Sequence, residues 1–181
     1  SYNNSASVKN LSSKSGDTVT LYAKWTANTY TIKFDGNGST SGSTDSKTCT
    51  YDKDCALPSN GFKKTGYTFA GWAKSASGSI EYLNGASVKN LSSKSGGIVT
   101  LYAKWTPITY TIKFDGNGST GGSTTSVTCT YDSSCTLTKN GFTKTGYTFA
   151  GWNTLSTGKG TSYNNSASVK NLSSKSGDTV T

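Results

Sequence analysis

The sequence predicts a mostly β chain of the α+β class, assembled from small modules in tandem. Three observations carry this. Tyr30-Thr31-Ile32-Lys33-Phe34-Asp35-Gly36-Asn37-Gly38 returns unchanged at 110–118, and Gly66-Tyr67-Thr68-Phe69-Ala70-Gly71-Trp72 returns at 146–152, a period of about 80 residues. Within each period apolar residues alternate with polar ones, as one-sided strands require. Gly and Asn punctuate the alternation with turn chemistry.

Residues 1–29 read as the C-terminal part of a preceding repeat, 30–109 as a complete repeat, and 110–181 as a repeat lacking its last strand. Ser1–Thr20 is identical to Ser162–Thr181, so the chain reads as a window on a longer repeating polymer. In the opening segment, Val19, Leu21, Ala23 and Trp25 fall on one face of a predicted strand, matched later by Val99, Leu101, Ala103 and Trp105. Leu21–Trp25 is the strand that 110–181 lacks, and it suits that place either in a continuous chain or in a neighbouring copy.

Each full repeat opens on a strand, with Tyr30, Ile32 and Phe34 on one side. Asp35-Gly36-Asn37-Gly38 then turns the chain, because Gly and Asn tolerate positive φ. A second strand is predicted at Thr48–Tyr51, with its return leg near Cys55. Glycines and aromatic residues from Asn60 to Trp72 predict a turn followed by a short strand or helical turn. Val88 and Leu91, three apart, suggest another helical turn. The expected module core comprises Trp25, Phe34, Tyr67, Phe69, Trp72 and Trp105, with Phe114, Tyr147, Phe149 and Trp152 in the next copy. A junction of about four residues around Pro107 restricts the angle between modules.

Cys49 and Cys55 are six apart, and Cys129 and Cys135 repeat the spacing. Equal parity puts each pair on one face of a hairpin, at a separation that suits a disulfide. The rival readings are zinc, for which His is absent and ligands are too few, and two reduced, inert thiols. A disulfide implies an oxidising, extracellular setting.

Net charge is +9, carried by Lys alone, with no Arg and no His. Without Arg the bidentate reading of phosphate or guanine is lost, so nucleic acid is not an expected partner. No apolar run approaches the roughly 18 residues of a membrane span. Catalysis finds no footing: no imidazole is available as a base, and no Ser or Thr sits in an activating context. The sequence therefore predicts no enzyme, no catalytic residues, no cofactor and no metal site. Asp35-Gly36-Asn37-Gly38-Ser39 has the oxygen alternation of a calcium loop but not its distal bidentate Glu, which favours a plain turn.

Tyr-Thr-Ile-Lys-Phe-Asp-Gly-Asn-Gly, Lys-Thr-Gly-Tyr-Thr-Phe-Ala-Gly-Trp and Thr-Leu-Tyr-Ala-Lys-Trp together resemble the internalin B-type B-repeat, also called the Listeria–Bacteroides repeat, over nearly the whole chain. The resemblance implies a small β-grasp-like α+β module of secreted or wall-anchored bacterial surface proteins. Tyr51-Asp52 and Tyr131-Asp132 stand where the family usually has a Tyr-Gly turn, and the cysteine pairs are an addition to it. The expected function is a structural, non-catalytic segment of an extracellular fibre, stalk or adhesin. Its expected partners are neighbouring repeats or copies of itself. The alternative is an adhesive module for a host protein or an anionic glycan, using Tyr22, Tyr102 and nearby lysines.

Overall fold

The computed structural model describes all 181 residues, and every regular element in it is a β-strand. The first repeat forms β1 (Thr29–Asp35), β2 (Ser41–Gly42), β3 (Lys47–Thr50), β4 (Cys55–Ala56), β5 (Phe62–Lys63), β6 (Tyr67–Ala73), β7 (Ser87–Val88) and β8 (Gly97–Pro107). Its main sheet has the order β3-β1-β8-β6. β8 runs parallel to β1, from Tyr30 beside Gly97 to Asp35 beside Tyr102, and antiparallel to β6. The last strand of the repeat is thus wedged between two earlier ones. Two short pairs, β2 with β5 and β4 with β7, cover the sheet.

The period-two alternation places the core. Tyr30 and Ile32 of β1 and Leu101 and Ala103 of β8 are buried, together with Leu57 and Val88 from the covering pairs. Trp72 is fully buried at the centre. Phe34, Phe69 and Phe62 stand around it at ring separations of 4.7, 4.9 and 6.3 Å, and Trp105 closes on Phe69 at 5.7 Å. Tilted and edge-on rings of this kind add roughly 0.5–1.5 kcal/mol per pair beyond their burial. β6 reaches this position through a bulge between Phe69 and Gly71. Gly71 has φ +151°, and a side chain there would meet the Tyr82 carbonyl, so glycine is required.

The second repeat forms β9 (Thr109–Ile112), β10 (Gly121–Gly122), β11 (Val127–Thr130), β12 (Cys135–Thr136), β13 (Phe142–Thr143), β14 (Trp152–Asn153), β15 (Ser162–Tyr163), β16 (Ser168–Val169) and β17 (Thr179–Val180). It has its own core around Tyr110, Ile112, Phe114, Leu137 and Val169. β17 pairs with β9 in the register that Ile98 and Val99 keep with β1, and then the chain stops. Here β9 has four residues where β1 has seven, and β14 has two where β6 has seven. A strand without a neighbour on its hydrogen-bonding side gains too little to stay ordered.

Several expectations need correction. The α+β class and the β-grasp comparison fail because no helix is present. Val88 lies in β7, paired with Cys55, and Asn90 takes φ +57° before Leu91, so no helical turn joins the two. Leu21–Trp25 forms no strand, since residues 1–28 make no ladder with either repeat. Trp25 is accordingly 88% exposed and belongs to no core. Tyr147 and Phe149 are also exposed, whereas their counterparts Tyr67 and Phe69 are half-buried against Tyr131 and Trp105.

Trp72 holds the first repeat together, and truncating it leaves an aromatic-lined void. Trp72→Ala is expected to cost about 3–5 kcal/mol. That is most of the stability of a unit this size. Chemical denaturation followed through the first repeat's amide signals should show it unfolding well before the second.

Candidate functional site

The features that could serve a function lie at the junction between the repeats and along one open groove. No cluster of three or more His, Cys, Asp or Glu side chains is placed to hold a metal ion. All four cysteines are consumed in two disulfides, Cys49–Cys55 and Cys129–Cys135, with Cα separations of 5.7 and 5.6 Å. The expected paired hairpin does not form, however. β3 pairs with β1 and β4 with β7, so each disulfide joins two separate sheets across a turn. Closing so short a loop removes about 2 kcal/mol of chain entropy from the unfolded state.

That turn is built from an Asp and an Asn far apart in sequence. Asp52 and Asp132 take φ of +62° and +60°, the conformation a glycine would adopt without strain. The Asp132 amide donates to Asn171 Oδ1 at 2.7 Å, and Asn171 Nδ2 donates back to Asp132 Oδ1 at 2.8 Å. Asp52 and Asn90 repeat the exchange at 2.6 and 2.8 Å. Asx side chains tolerate the left-handed region because they can bond locally to backbone. Two bonds thus hold a turn that the usual glycine would allow but not fix.

The same turn makes the junction between repeats. Tyr67, expected in the core, lies half-buried at the boundary instead. Its hydroxyl donates to Asp132 Oδ2 at 2.8 Å, and its ring meets Tyr131 edge-on at 5.9 Å. Lys64 Nζ lies 4.5 Å from the centre of the Tyr67 ring. Gly66, at φ +76°, packs so closely that any Cβ would enter the Tyr131 ring. Between the repeats the Ile108 amide donates to the Gly66 carbonyl at 3.0 Å, and the Ile108 carbonyl accepts from the Tyr131 amide at 2.9 Å. Ile108 itself is buried. Sequence reasoning placed the short linker but missed Tyr131, Asp132 and Asn171, because spacing within one repeat carries no signal for contact with the next.

The Asn171 amide, and after it the Tyr67 hydroxyl, hold the Asp132 carboxyl below its ordinary 3.8. The bond to Asp132 holds the Tyr67 phenol above its ordinary 10.0. A depressed carboxyl stabilises the contact above its unfolded range and loses that contribution as pH falls through the folded value. A raised phenol stabilises below its ordinary value and loses that contribution as pH rises through the folded one.

The groove lies in the second repeat. It encloses about 680 Å3 and is lined by Phe114, Phe142, Phe149, Trp152, Leu172 and Val180, among others. Phe114 is buried, and Trp152 is half-buried with Phe114 at 4.5 Å and Phe149 at 4.9 Å. In the first repeat the corresponding space is filled by β8. There Trp105 is half-buried, and its indole N–H donates to the Gly36 carbonyl at 2.9 Å.

Breaking the junction should leave the repeats intact. Gly66→Ala costs about 1–2 kcal/mol through backbone conformation alone, besides the clash with Tyr131. Residual dipolar couplings on this variant, and on Tyr131→Ala, should show the two repeats tumbling more independently while each keeps its fold. In the parent protein the Tyr67–Asp132 contact should hold across the neutral range, loosening below about pH 4 and above about pH 10. Chemical shifts of the Tyr131 ring would report both transitions.

Residues 30–104 and 110–175 match the Listeria-Bacteroides repeat domain, so the match covers most of the chain. Two curated relatives come from Evansella cellulosilytica. One, named "Putative Gly-rich membrane protein", is 33% identical over 137 residues, covering 74% of this chain and 15% of the relative. The other, named "Putative membrane protein", is 33% identical over 138 residues, covering 74% and 18%. The chain therefore spans less than a fifth of the length of either relative. No solved structure matches it. No helix is long and apolar enough to cross a membrane. With the motif match and the repeated cores in agreement, the chain belongs to the Listeria-Bacteroides repeat domain family, as a tandem array of its units.

Proposed function

We propose that this chain is a load-bearing, non-catalytic segment of a bacterial cell-surface protein, working as a spacer in a stalk or fibre. The observation that carries this reading is where each repeat takes up tension. The chain enters the first repeat at the start of β1 and leaves at the end of β8, and these two strands are adjacent and parallel. Pulling the ends apart shears them along their common axis. Six residue pairs, Tyr30–Gly97 to Asp35–Tyr102, then resist together instead of opening one by one.

The disulfide supports the same reading. Cys49–Cys55 lies off the β1–β8 path and clips the covering pair to the main sheet, and two such bonds fit an oxidising exterior. The relatives' names as membrane proteins agree with a place at the cell surface. The junction passes force directly from β8 into β9 through Ile108 alone.

Single-molecule pulling of the intact chain tests this. Drawn through its ends, the first repeat should need a markedly higher force than when drawn through the N-terminus and a handle on Thr50, which faces Thr29 across the ladder and so peels β3 from β1. Equal forces in both directions would remove the load-bearing reading. Reduction should lengthen the first repeat's extension step by roughly 15 Å, since six further residues at about 3.5 Å each become available in place of the 5.7 Å the bridge spans.

A further inference from the structure

We propose that the Cys129–Cys135 disulfide is a redox lock on the junction between the repeats. Closed, it holds the two repeats at one angle; opened to two thiols, it lets them move independently while each stays folded. The bridge encloses the junction itself, spanning Thr130-Tyr131-Asp132-Ser133-Ser134. Of these, Tyr131 and Asp132 make the side-chain contacts with the first repeat.

The bridge acts through the Asp132 carboxylate, which faces two bodies at once. Oδ2 accepts from the Tyr67 hydroxyl of the first repeat at 2.8 Å. Oδ1 accepts from Asn171 Nδ2 at 2.8 Å, with Lys170 Nζ at 3.8 Å. Lys170 and Asn171 directly follow β16, which pairs with β12 through Val169–Cys135 and Ser168–Thr136 as part of the cover. Asp132 itself follows β11, which belongs to the main sheet. No ladder joins β11 to β12. The disulfide, with its Cα atoms 5.6 Å apart, is therefore the covalent tie between sheet and cover at this corner. While it holds, Asn171 aims one edge of the carboxylate and so presents the other edge to Tyr67. Once it opens, a cover held by so short a pair can shift against β11. The carboxylate then follows Asn171 or Tyr67 and is no longer fixed to both. The Tyr131 ring beside it loses its set place over Gly66.

What remains after opening is a hinge. The Ile108 amide still donates to the Gly66 carbonyl, and the Ile108 carbonyl still accepts from the Tyr131 amide, one bond on each side of a single residue. The two cores share no residue, so neither depends on the angle between them. In closing, the two thiols give up two protons and two electrons to the disulfide of an exchange partner, which leaves as a dithiol; opening is the reverse, with a dithiol reductant ending as a disulfide. Cys129 and Cys135 are 1% and 8% exposed, so exchange requires the corner to open, and a closed junction shields its own bond. A chain made in a reducing cytosol is thus supple between repeats and stiffens where it meets a disulfide donor outside. The lock concerns the junction and not the β1–β8 pair, so its failure would leave the load-bearing reading in place.

Residual dipolar couplings of two single-bridge variants of the whole chain test the lock. Cys49→Ala with Cys55→Ala keeps only the junction bridge. Its repeats should share one alignment tensor when oxidised, lose that common tensor on adding dithiothreitol and regain it on reoxidation, with the dispersed amide signals of both repeats kept throughout. Cys129→Ala with Cys135→Ala should give separate tensors with or without reductant, and faster exchange of the Asp132 amide. Cys49–Cys55 closes the same corner in the first repeat, where Asp52 meets Asn90, so it controls for loss of a bridge as such. A common tensor in the C129A/C135A chain, or equal loosening on removal of either bridge, would overturn the proposal. So would a second repeat that unfolds once its bridge is opened, because the bridge would then be a stability element and not a lock.

Discussion

One strand decides whether a repeat is finished. β8 comes from the far end of each unit and is inserted between β1 and β6, so both hydrogen-bonded edges and the aromatic core wait for it. The chain contains its own comparison, because the two repeats share nearly all their sequence and only the first holds this strand. With it, β1 and β6 each run seven residues, and Phe69 is half-buried between two tryptophans. Without it, the strand at β9 shrinks to four residues and Phe149 lies open. Leu101 and Ala103 are fully buried where present, and a buried Leu alone contributes on the order of 1.5–3 kcal/mol. Bringing together ends so distant in sequence is what a non-local sheet makes slow and costly, and the covering pairs must form around it.

The disulfide and the Asp–Asn exchange then serve one purpose. β3 to β4 is the place where the chain leaves the main sheet to make its cover, and no ladder spans that corner. Cys49–Cys55 closes it covalently, and Asp52 with Asn90 fixes the left-handed turn inside it. In the second repeat that turn also carries Tyr131 and Asp132, the residues that meet the preceding unit. A corner needed for local stability thus becomes the docking surface for a neighbour, and rigidity in one is passed to the other.

Much of this was legible in the sequence, for identifiable reasons. The repeat and the strands at Tyr30–Asp35 and Leu101–Trp105 follow from period-two alternation and exact recurrence, whereas the sequence marks Trp72 only as one core residue among ten. The cysteine spacing pointed to a bridge, although the bridge crosses between sheets instead of within a hairpin. The helical turn read from Val88 and Leu91 was misleading because a two-residue strand is too short to establish a period. Trp25, Tyr147 and Phe149 were expected in a core because exact recurrence assigns identical residues to identical places. Burial depends on a partner strand, however, and identical residues differ when the partner differs. Tyr67 was misplaced for a related reason: its partners belong to the next repeat, which no pattern inside one unit can report.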